Sequence, residues 1–363
     1  MRLSFGYMLW LVGAGISGHR GLSLEAVQVL KKCEIVFVER FTSALADSDL
    51  EGINAAIGKS AKPVQRWFVE DGREMLDAAR EKQVALVTYG DPLLATTHTE
   101  LRTRAAKASI KTSVLHAASG ITSIMGECGL HMYKFGRTVT MMSEPKSAIS
   151  VYNTVFDNLL LGSHTLILTE YSHDEKTGEP FFLDPAVVLK MLLDCERDLR
   201  HRVFSEETFV VVASRLGSDD SRIVSGKIKS LAGVGFGTGP HSVIVPASLH
   251  FTEEEALEAL TVCLDSPVDN AASVKRISAQ MIERYAPKAR EAVQHMRDIL
   301  RKEGEKKENK GMHEVLDNAE YYIDDAERFL RQGKHELAVL SIGYAEGLVD
   351  ALRFQKGINP WNP

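Results

Sequence analysis

The chain has 363 residues, with a hydrophobic fraction of 44 % and a charged fraction of 25 %, values of an ordinary globular protein with room for two or three domains. A disordered or fibrous chain is excluded. The formal net charge of −6 argues against a general nucleic-acid binder, which needs basic surface to displace counterions, but not against a protein partner met through a local basic patch.

In chain order, 1–12 carries an Arg and apolar residues in the manner of a weak signal peptide. Met8–Val12 runs straight into glycines and a helical pattern, so it reads as a first strand (Leu9–Val12), with 1–7 as an extension. Ser23 can cap a helix with Leu24, Val27 and Leu30 on one face. Ile35–Val38 is a second strand. Val84–Tyr89 is a third, ending in Gly90-Asp91-Pro92, after which Thr96 or Thr97 can cap a helix through Ala106. Val114–Ala117 is a fourth strand and Thr138–Met142 a fifth. Strands separated by helices predict a mostly parallel sheet covered on both faces.

Ser143-Glu144-Pro145 reads as a hinge into a second α/β domain. There Thr165–Leu168, Phe209–Ala213 and Ser242–Pro246 are strands, and Asp184–Arg200 is an amphipathic helix. Beyond about Glu253 the pattern is all helical. Val274, Ile277, Met281, Tyr285, Ala289 and Met296 mark one helix, kinked or split at Pro287. A solvated linker (301–311) follows. A second helix carries Val315, Tyr322, Ala326 and Leu330 and stops at Gly333. A third carries Leu337, Leu340, Tyr344, Leu348 and Leu352. The expected domains are thus 8–142, 143–260 and 270–357.

Cys33, Cys128, Cys195 and Cys263 are scattered without a CxxC pair, which fits buried or idle thiols in a reducing cytosol. No apolar run approaches the roughly 20 residues of a membrane span. His98, His131 and His250 lack metal-ligand spacing, and no metal is expected.

Gly13-Ala14-Gly15-Ile16-Ser17-Gly18 matches GxGxxG after a strand, with Glu39 at the end of the next strand, which is close to a dinucleotide fingerprint. That motif needs its third glycine in the first turn of a helix, whose N-terminus then holds the pyrophosphate. Here the helical pattern waits until Ser23. A lone glycine loop is a weak signal. It reads equally as a tight turn, or as a place where backbone approaches a flat cofactor closely.

Longer motifs are more specific. Gly90-Asp91-Pro92-Leu93-Leu94-Ala95-Thr96-Thr97-His98 resembles the GDPLxATTH segment of diphthine synthases. So do 129–138, containing Tyr133-Lys134-Phe135-Gly136-Arg137-Thr138, then 240–246 from Pro240-His241, and Leu249-His250-Phe251. Glu39-Arg40-Phe41-Thr42-Ser43 is similar to that family's strand end. The resemblance runs in register from Met8 to about Leu260. It implies a two-domain tetrapyrrole-methylase-like α/β fold, a cytoplasmic homodimer, and S-adenosylmethionine folded in the cleft between domains. It implies successive N-methylations of a modified histidine on elongation factor 2, which in archaea yield diphthine. By motif, the family's cofactor positions fall here on Ile16, Asp91, Leu94, Ser119, Gly120, Thr169, Leu216 and His241. The chain departs from the family's GLGL-type loop, and Thr169 stands where an apolar residue is more usual. The tail resembles an archaeal helical family of unknown function through Leu340–Leu348. Its Gly343 and Gly347, four residues apart, permit close helix packing.

Methyl transfer from a sulfonium is an in-line displacement in which positioning supplies much of the catalysis. Asp91, at a strand's C-terminal end, is placed to accept hydrogen bonds from a cofactor, or simply to cap its turn. The acceptor amine must be neutral to attack, with Glu170, His241 or water as proton acceptors. Tyr89, Tyr133 and Tyr171 are aromatic candidates beside a quaternary ammonium. Arg40, Lys134 and Arg137 either meet an acidic partner or are solvated surface. The competing readings are a corrin-precursor methylase of the same fold, a nicotinamide oxidoreductase resting on the glycine loop, and a silent binding scaffold.

Overall fold

The structure is a computed structural model that describes residues 7–42, 45–173, 180–303 and 307–361. Most of the expected N-terminal extension, Ser43 of the strand-end motif and the middle of the expected 301–311 linker lie outside the described residues. The chain divides into two compact units, Met1–Val274 and Lys275–Pro363.

The first unit opens with β1 (Met8–Gly13), α1 (Leu24–Lys32), β2 (Ile35–Glu39), α2 (Asp47–Ile57), β3 (Lys62–Val64), α3 (Arg66–Asp71), α4 (Arg73–Ala78), β4 (Gln83–Thr88), α5 (His98–Lys107) and β5 (Lys111–Leu115). The five strands pair in parallel in the order β3-β2-β4-β1-β5. The central strands are near-continuous apolar runs because both faces are covered. Trp10, Val12, Val36, Val38, Ala85 and Val87 point to one core, and Leu9, Leu11, Phe37, Val84 and Leu86 to the other. Ser23 Oγ caps α1 by accepting Ala26 N–H at 3.0 Å. The helix buries Ala26, Val29 and Leu30, whereas Leu24, expected on that face, is exposed. β3 escapes the sequence pattern because it is three residues long and contains Pro63, tolerated at a sheet edge.

The chain continues through α6 (Gly120–Glu127), β6 (Val139–Met141), α7 (Pro145–Leu160), β7 (Thr165–Thr169), β8 (Tyr171–His173), β9 (Pro180–Phe182), α8 (Pro185–Leu199), β10 (Phe209–Ser214), β11 (Arg222–Lys227), α9 (Ile228–Leu231), β12 (His241–Val245), α10 (Phe251–Leu260) and β13 (Val262–Cys263). A second, mixed sheet has the order β13-β11-β10-β12-β7-β6, and β8 and β9 form a separate hairpin. The strand expected as the fifth of the first sheet is β6, which pairs with β7 in the second. Periodicity identifies a strand but not its neighbour, so the crossing between sheets comes before the Ser143–Pro145 hinge.

Two of the resemblance-bearing segments lock this lobe together. Glu253, wholly buried, accepts the backbone N–H groups of His131 and His250 and contacts Lys134 Nζ at 2.5 Å and His164 Nε2 at 3.1 Å. Burial pushes its carboxyl up, but these hydrogen bonds outweigh burial and hold it at about 2. Lys134 also donates to the Ser248 carbonyl. It is therefore an internal tie rather than a partner-facing cation, while Arg137 is exposed.

The second unit is a three-helix array of α11 (Ile277–Glu303), α12 (Lys307–Arg331) and α13 (His335–Lys356). Pro287 sits within one assigned α11, on its exposed side, so this helix is not split. The described residues of 301–311, 301–303 and 307–311, are the end of α11 and the start of α12, and Gly333 (φ +71°) ends α12 as expected. The buried faces match the expected ones only in part: Ala289, Met296, Ala326 and Leu352 are buried as expected. α11 buries Ile282, Ala286, Ala289, Val293, Met296 and Leu300. α13 buries Ala338, Ile342, Ala345, Val349 and Leu352 and turns Leu337, Leu340 and Tyr344 outward. Small residues let the axes approach and leave the larger ones outside. Gly343 and Gly347 also face open space, so they do not pack the bundle.

Candidate active site

The glycine loop is joined to the Gly90-Asp91-Pro92 turn by backbone. Gly15 and Gly90 exchange hydrogen bonds at 3.2 and 2.9 Å, with φ of +74° and +71°. A Cβ on Gly13 would lie 2.6 Å from the Gly90 carbonyl, so the close approach requires glycine there. Gly18 belongs to a short 3-10 turn, and α1 starts six residues later at Leu24. The geometry of a dinucleotide fingerprint is thus missing, as the late helical pattern implied.

The same turn explains the Thr-Thr-His run. Both Thr96 Oγ1 (2.7 Å) and His98 Nδ1 (2.9 Å) bond the Pro92 carbonyl. Ala95, just before Thr96, has φ +54°. Thr97 occupies the N-cap of α5 but its hydroxyl makes no capping bond.

A cavity of about 440 Å3 opens where the C-terminal ends of β4 and β5 face the second sheet, the usual ligand position in open α/β sheets. Seven of the eight cofactor positions expected from the resemblance line it: Asp91, Leu94, Ser119, Gly120, Thr169, Leu216 and His241. The eighth, Ile16, lines an adjoining chamber instead. Asp91 both faces the cavity and caps its turn, with Oδ1 accepting Leu93 N–H at 2.9 Å. Its Oδ2 meets His116 Nδ1 at 2.7 Å and Ala117 N–H at 3.3 Å. Ser119 caps α6 through Ile121 N–H, and a Cβ on Gly120 would enter open space. Thr169 Oγ1 donates to the His241 carbonyl at 2.9 Å, so the hydroxyl ties β7 to β12 where an apolar residue could not.

Of the expected proton acceptors, His241 is occupied. Its Nδ1 meets Ser214 Oγ at 2.8 Å, and burial pushes its pKa down against a hydrogen bond to the Gly237 carbonyl. Glu170 lines the cavity and accepts Ser143 N–H at 2.7 Å. Tyr89 and Tyr171 border the cavity, whereas Tyr133 is 95 % exposed on the far lock and plays no part here. The charged side chains lining the cavity are Asp91, Glu170 and Arg66. Sequence reasoning missed His116 and Arg66; Phe41 and Thr42, read there only as part of a strand-end motif, form a cavity wall whose backbone N–H groups are held by buried Glu39 at 2.9 and 3.0 Å.

The tetrapyrrole (corrin/porphyrin) methylase family pattern matches residues 8–232, which places this two-sheet fold and its cleft in the methyltransferases of that class. Within that class the chain belongs to the diphthine synthase family. It is 35 % identical over 256 residues to diphthine synthase of Methanocaldococcus jannaschii, covering 70 % of this chain and 98 % of that protein. It is 33 % identical over 270 residues to diphthine methyl ester synthase of Dictyostelium discoideum, covering 70 % and 98 %. A crystal structure from Entamoeba histolytica, provisionally assigned as a diphthine synthase, matches with TM-score 0.64 and 30 % identity over 70 % of this chain and 99 % of that one. Residues 284–358 match a protein family of unknown function, DUF357.

Proposed function

We propose that this chain methylates the amino group of the modified histidine of elongation factor 2, with S-adenosylmethionine as donor. The cofactor sits in the cleft between the first sheet and the second, which shifts the expected bounds of 142 and 260, since β6 (Val139–Met141) and β13 (Val262–Cys263) both belong to the second sheet. The cavity fits the donor on charge and shape. Two carboxylates and one guanidinium suit a nucleoside carrying a sulfonium cation better than a dinucleotide with a pyrophosphate. Asp91, Ser119 and Thr169 offer polar contacts, Leu94 and Leu216 apolar ones, the open space at Gly120 room for a ring, and His241 its backbone at the edge. When bound, the donor supplies an electrophilic methyl on sulfur. The residues around it position that methyl and exclude water.

The convergence of seven motif-derived positions on one cavity carries this reading. Its test is mass spectrometry of archaeal elongation factor 2 after incubation with chain and donor. Added 14-Da increments on the modified histidine support it, and an unchanged mass removes it. Calorimetry should give binding of S-adenosylhomocysteine and none of NADH. The reading includes a homodimer in an archaeal cytoplasm, in keeping with free thiols that are buried at Cys33, Cys128 and Cys195. Sedimentation at micromolar concentration tests the dimer. No helix among the described residues is long and apolar enough to cross a membrane.

A second reading concerns the atom methylated. The Dictyostelium relative is named a methyl ester synthase, which places a methyl on a carboxylate. Loss of one 14-Da increment on mild alkaline treatment would reveal an ester in the product of this chain.

A further inference from the structure

A second chamber of about 710 Å3 adjoins the cavity, and Tyr89, Tyr171 and Pro240 line both. The tyrosine hydroxyls are tied off: Tyr89 Oη donates to the Ile16 carbonyl at 3.0 Å and Tyr171 Oη to the Arg40 carbonyl at 3.1 Å. Burial pushes both phenols up, Tyr89 to about 12, so neither takes a proton near neutrality. With His241 also engaged, the cavity itself offers no unoccupied imidazole.

The second chamber does. His19 Nδ1 lies 3.0 Å from Asp49 Oδ1, and the same oxygen accepts the His19 backbone N–H at 3.1 Å. Both residues line the chamber. Two glycines make room for the pair. A Cβ on Gly18 would lie 2.0 Å from Asp49 Oδ1, and one on Gly52 would lie 2.3 Å from the His19 ring. Among the described residues, no hydrogen bond engages His19 Nε2. A carboxylate on Nδ1–H fixes the tautomer in which Nε2 carries the free lone pair.

We propose that the second chamber holds the acceptor side chain, that His19 Nε2 takes the proton from its amine, and that Asp49 is the positioning residue. The inference rests on the methyltransferase reading above. In each round an ammonium in the chamber gives one proton to Nε2, which later releases it to solvent. The neutral nitrogen then bonds to the methyl carbon as that carbon leaves sulfur, with the electron pair of the broken bond remaining on sulfur. Desolvation in the chamber lowers the affinity of the amine for its proton, which brings it within reach of an imidazole. The other charged groups facing His19 in the chamber are Arg20, Arg40, Asp47 and Arg215. The three arginines are paired with Asp219, Asp47 and Asp220 respectively. Tyr89 and Tyr171, which line both spaces, then border a methylated ammonium, a cation suited to aromatic walls.

The test uses the full chain, elongation factor 2 bearing the unmethylated modified histidine, and S-adenosylmethionine, from about pH 6 to 9. His19→Gln should lower kcat about a hundredfold at neutrality, with a loss that shrinks as pH rises. Its affinity for S-adenosylhomocysteine should stay within threefold of the parent. Added imidazole should restore part of the rate of His19→Ala, and Asp49→Asn should share the pH-dependent loss. Rates of His19→Gln within threefold of the parent at every pH overturn the proposal. So does an equal loss at every pH without imidazole rescue, which would mean a purely structural ring. A parent chain that binds S-adenosylhomocysteine yet never methylates the factor overturns the acceptor reading, and His19's role with it. A parent chain that does not bind S-adenosylhomocysteine would instead remove the cofactor reading on which both depend.

Discussion

Asp91 Oδ2 and His116 Nδ1 lie 2.7 Å apart and join the turn after β4 to the end of β5. With Leu93 and Ala117 N–H also bound, three of the roughly four lone-pair positions of the carboxylate are taken. The aspartate therefore shapes the cavity floor and keeps about one acceptor site for a ligand.

Asp91→Ala should thus act on binding and, more mildly, on stability. Losing a charge-assisted hydrogen bond costs about 1.5–3 kcal/mol, roughly a ten- to hundredfold weaker affinity for S-adenosylhomocysteine. Circular dichroism should still show a folded chain. Unchanged affinity by calorimetry would remove Asp91 from the ligand site.

Glu253 gives a prediction about acid. Its folded pKa, about 2, lies below the ordinary 4.5. A depressed carboxyl contributes stability that is present above the ordinary value and is lost as pH falls from about 4.5 towards 2. Glu253→Ala leaves Lys134 and His164 without their shared anion. It should cost about 3–5 kcal/mol at neutral pH and lower the melting temperature of the first unit by roughly 10 °C. Its acid-unfolding curve between pH 2 and 5 should be shallower than the parent's. Matching curves would show that the carboxylate is not what titrates.

The helical unit offers a direct test of which face is inside. Leu340 is 56 % exposed and Ala345 fully buried. Leu340→Glu should change stability by no more than about 0.5 kcal/mol, whereas Ala345→Leu should overpack the bundle by about 1–3 kcal/mol. Denaturant unfolding followed on the second unit decides it. The reverse order would restore the leucine stripe as the core.

That stripe shows where sequence reading succeeds and fails. Leu337, Leu340, Tyr344 and Leu348 recur at helical spacing, but so do Ala338, Ile342, Ala345 and Val349. Hydrophobicity favours the first set, while close packing of three helices selects the second. In the α/β unit the strands were legible because burial on both faces demands unbroken apolar runs, as at Leu9–Val12 and Val84–Val87. Sheet membership was not: nothing in Thr138–Met142 distinguishes β7 from the first sheet as a partner. In the cavity, Asp91 and His241 were legible because they sit in long motifs. Arg66 on its wall, His116 beside Asp91, and the His19–Asp49 pair of the second chamber were not, since their placement depends on loops that only the fold brings together.

The boundary of the first unit follows from Asn270. A cut after Leu260 ends at the last residue of α10 but discards β13, which pairs with β11, and Asn270. The buried Asn270 amide accepts Phe209 N–H at 3.0 Å and donates to the Phe209 and Pro246 carbonyls at 2.8 Å each. Removing it leaves those backbone groups unpaired at about 1–3 kcal/mol apiece. Val274, a few residues on, packs against the core of the second sheet. A chain ending after Val274 should therefore fold and bind S-adenosylhomocysteine within threefold of the full chain. One ending after Leu260 should melt at least several degrees lower or fail to fold. Equal melting of the two truncations would show that β13 and Asn270 contribute nothing, and loss of folding at Val274 would show that the helical unit completes the core.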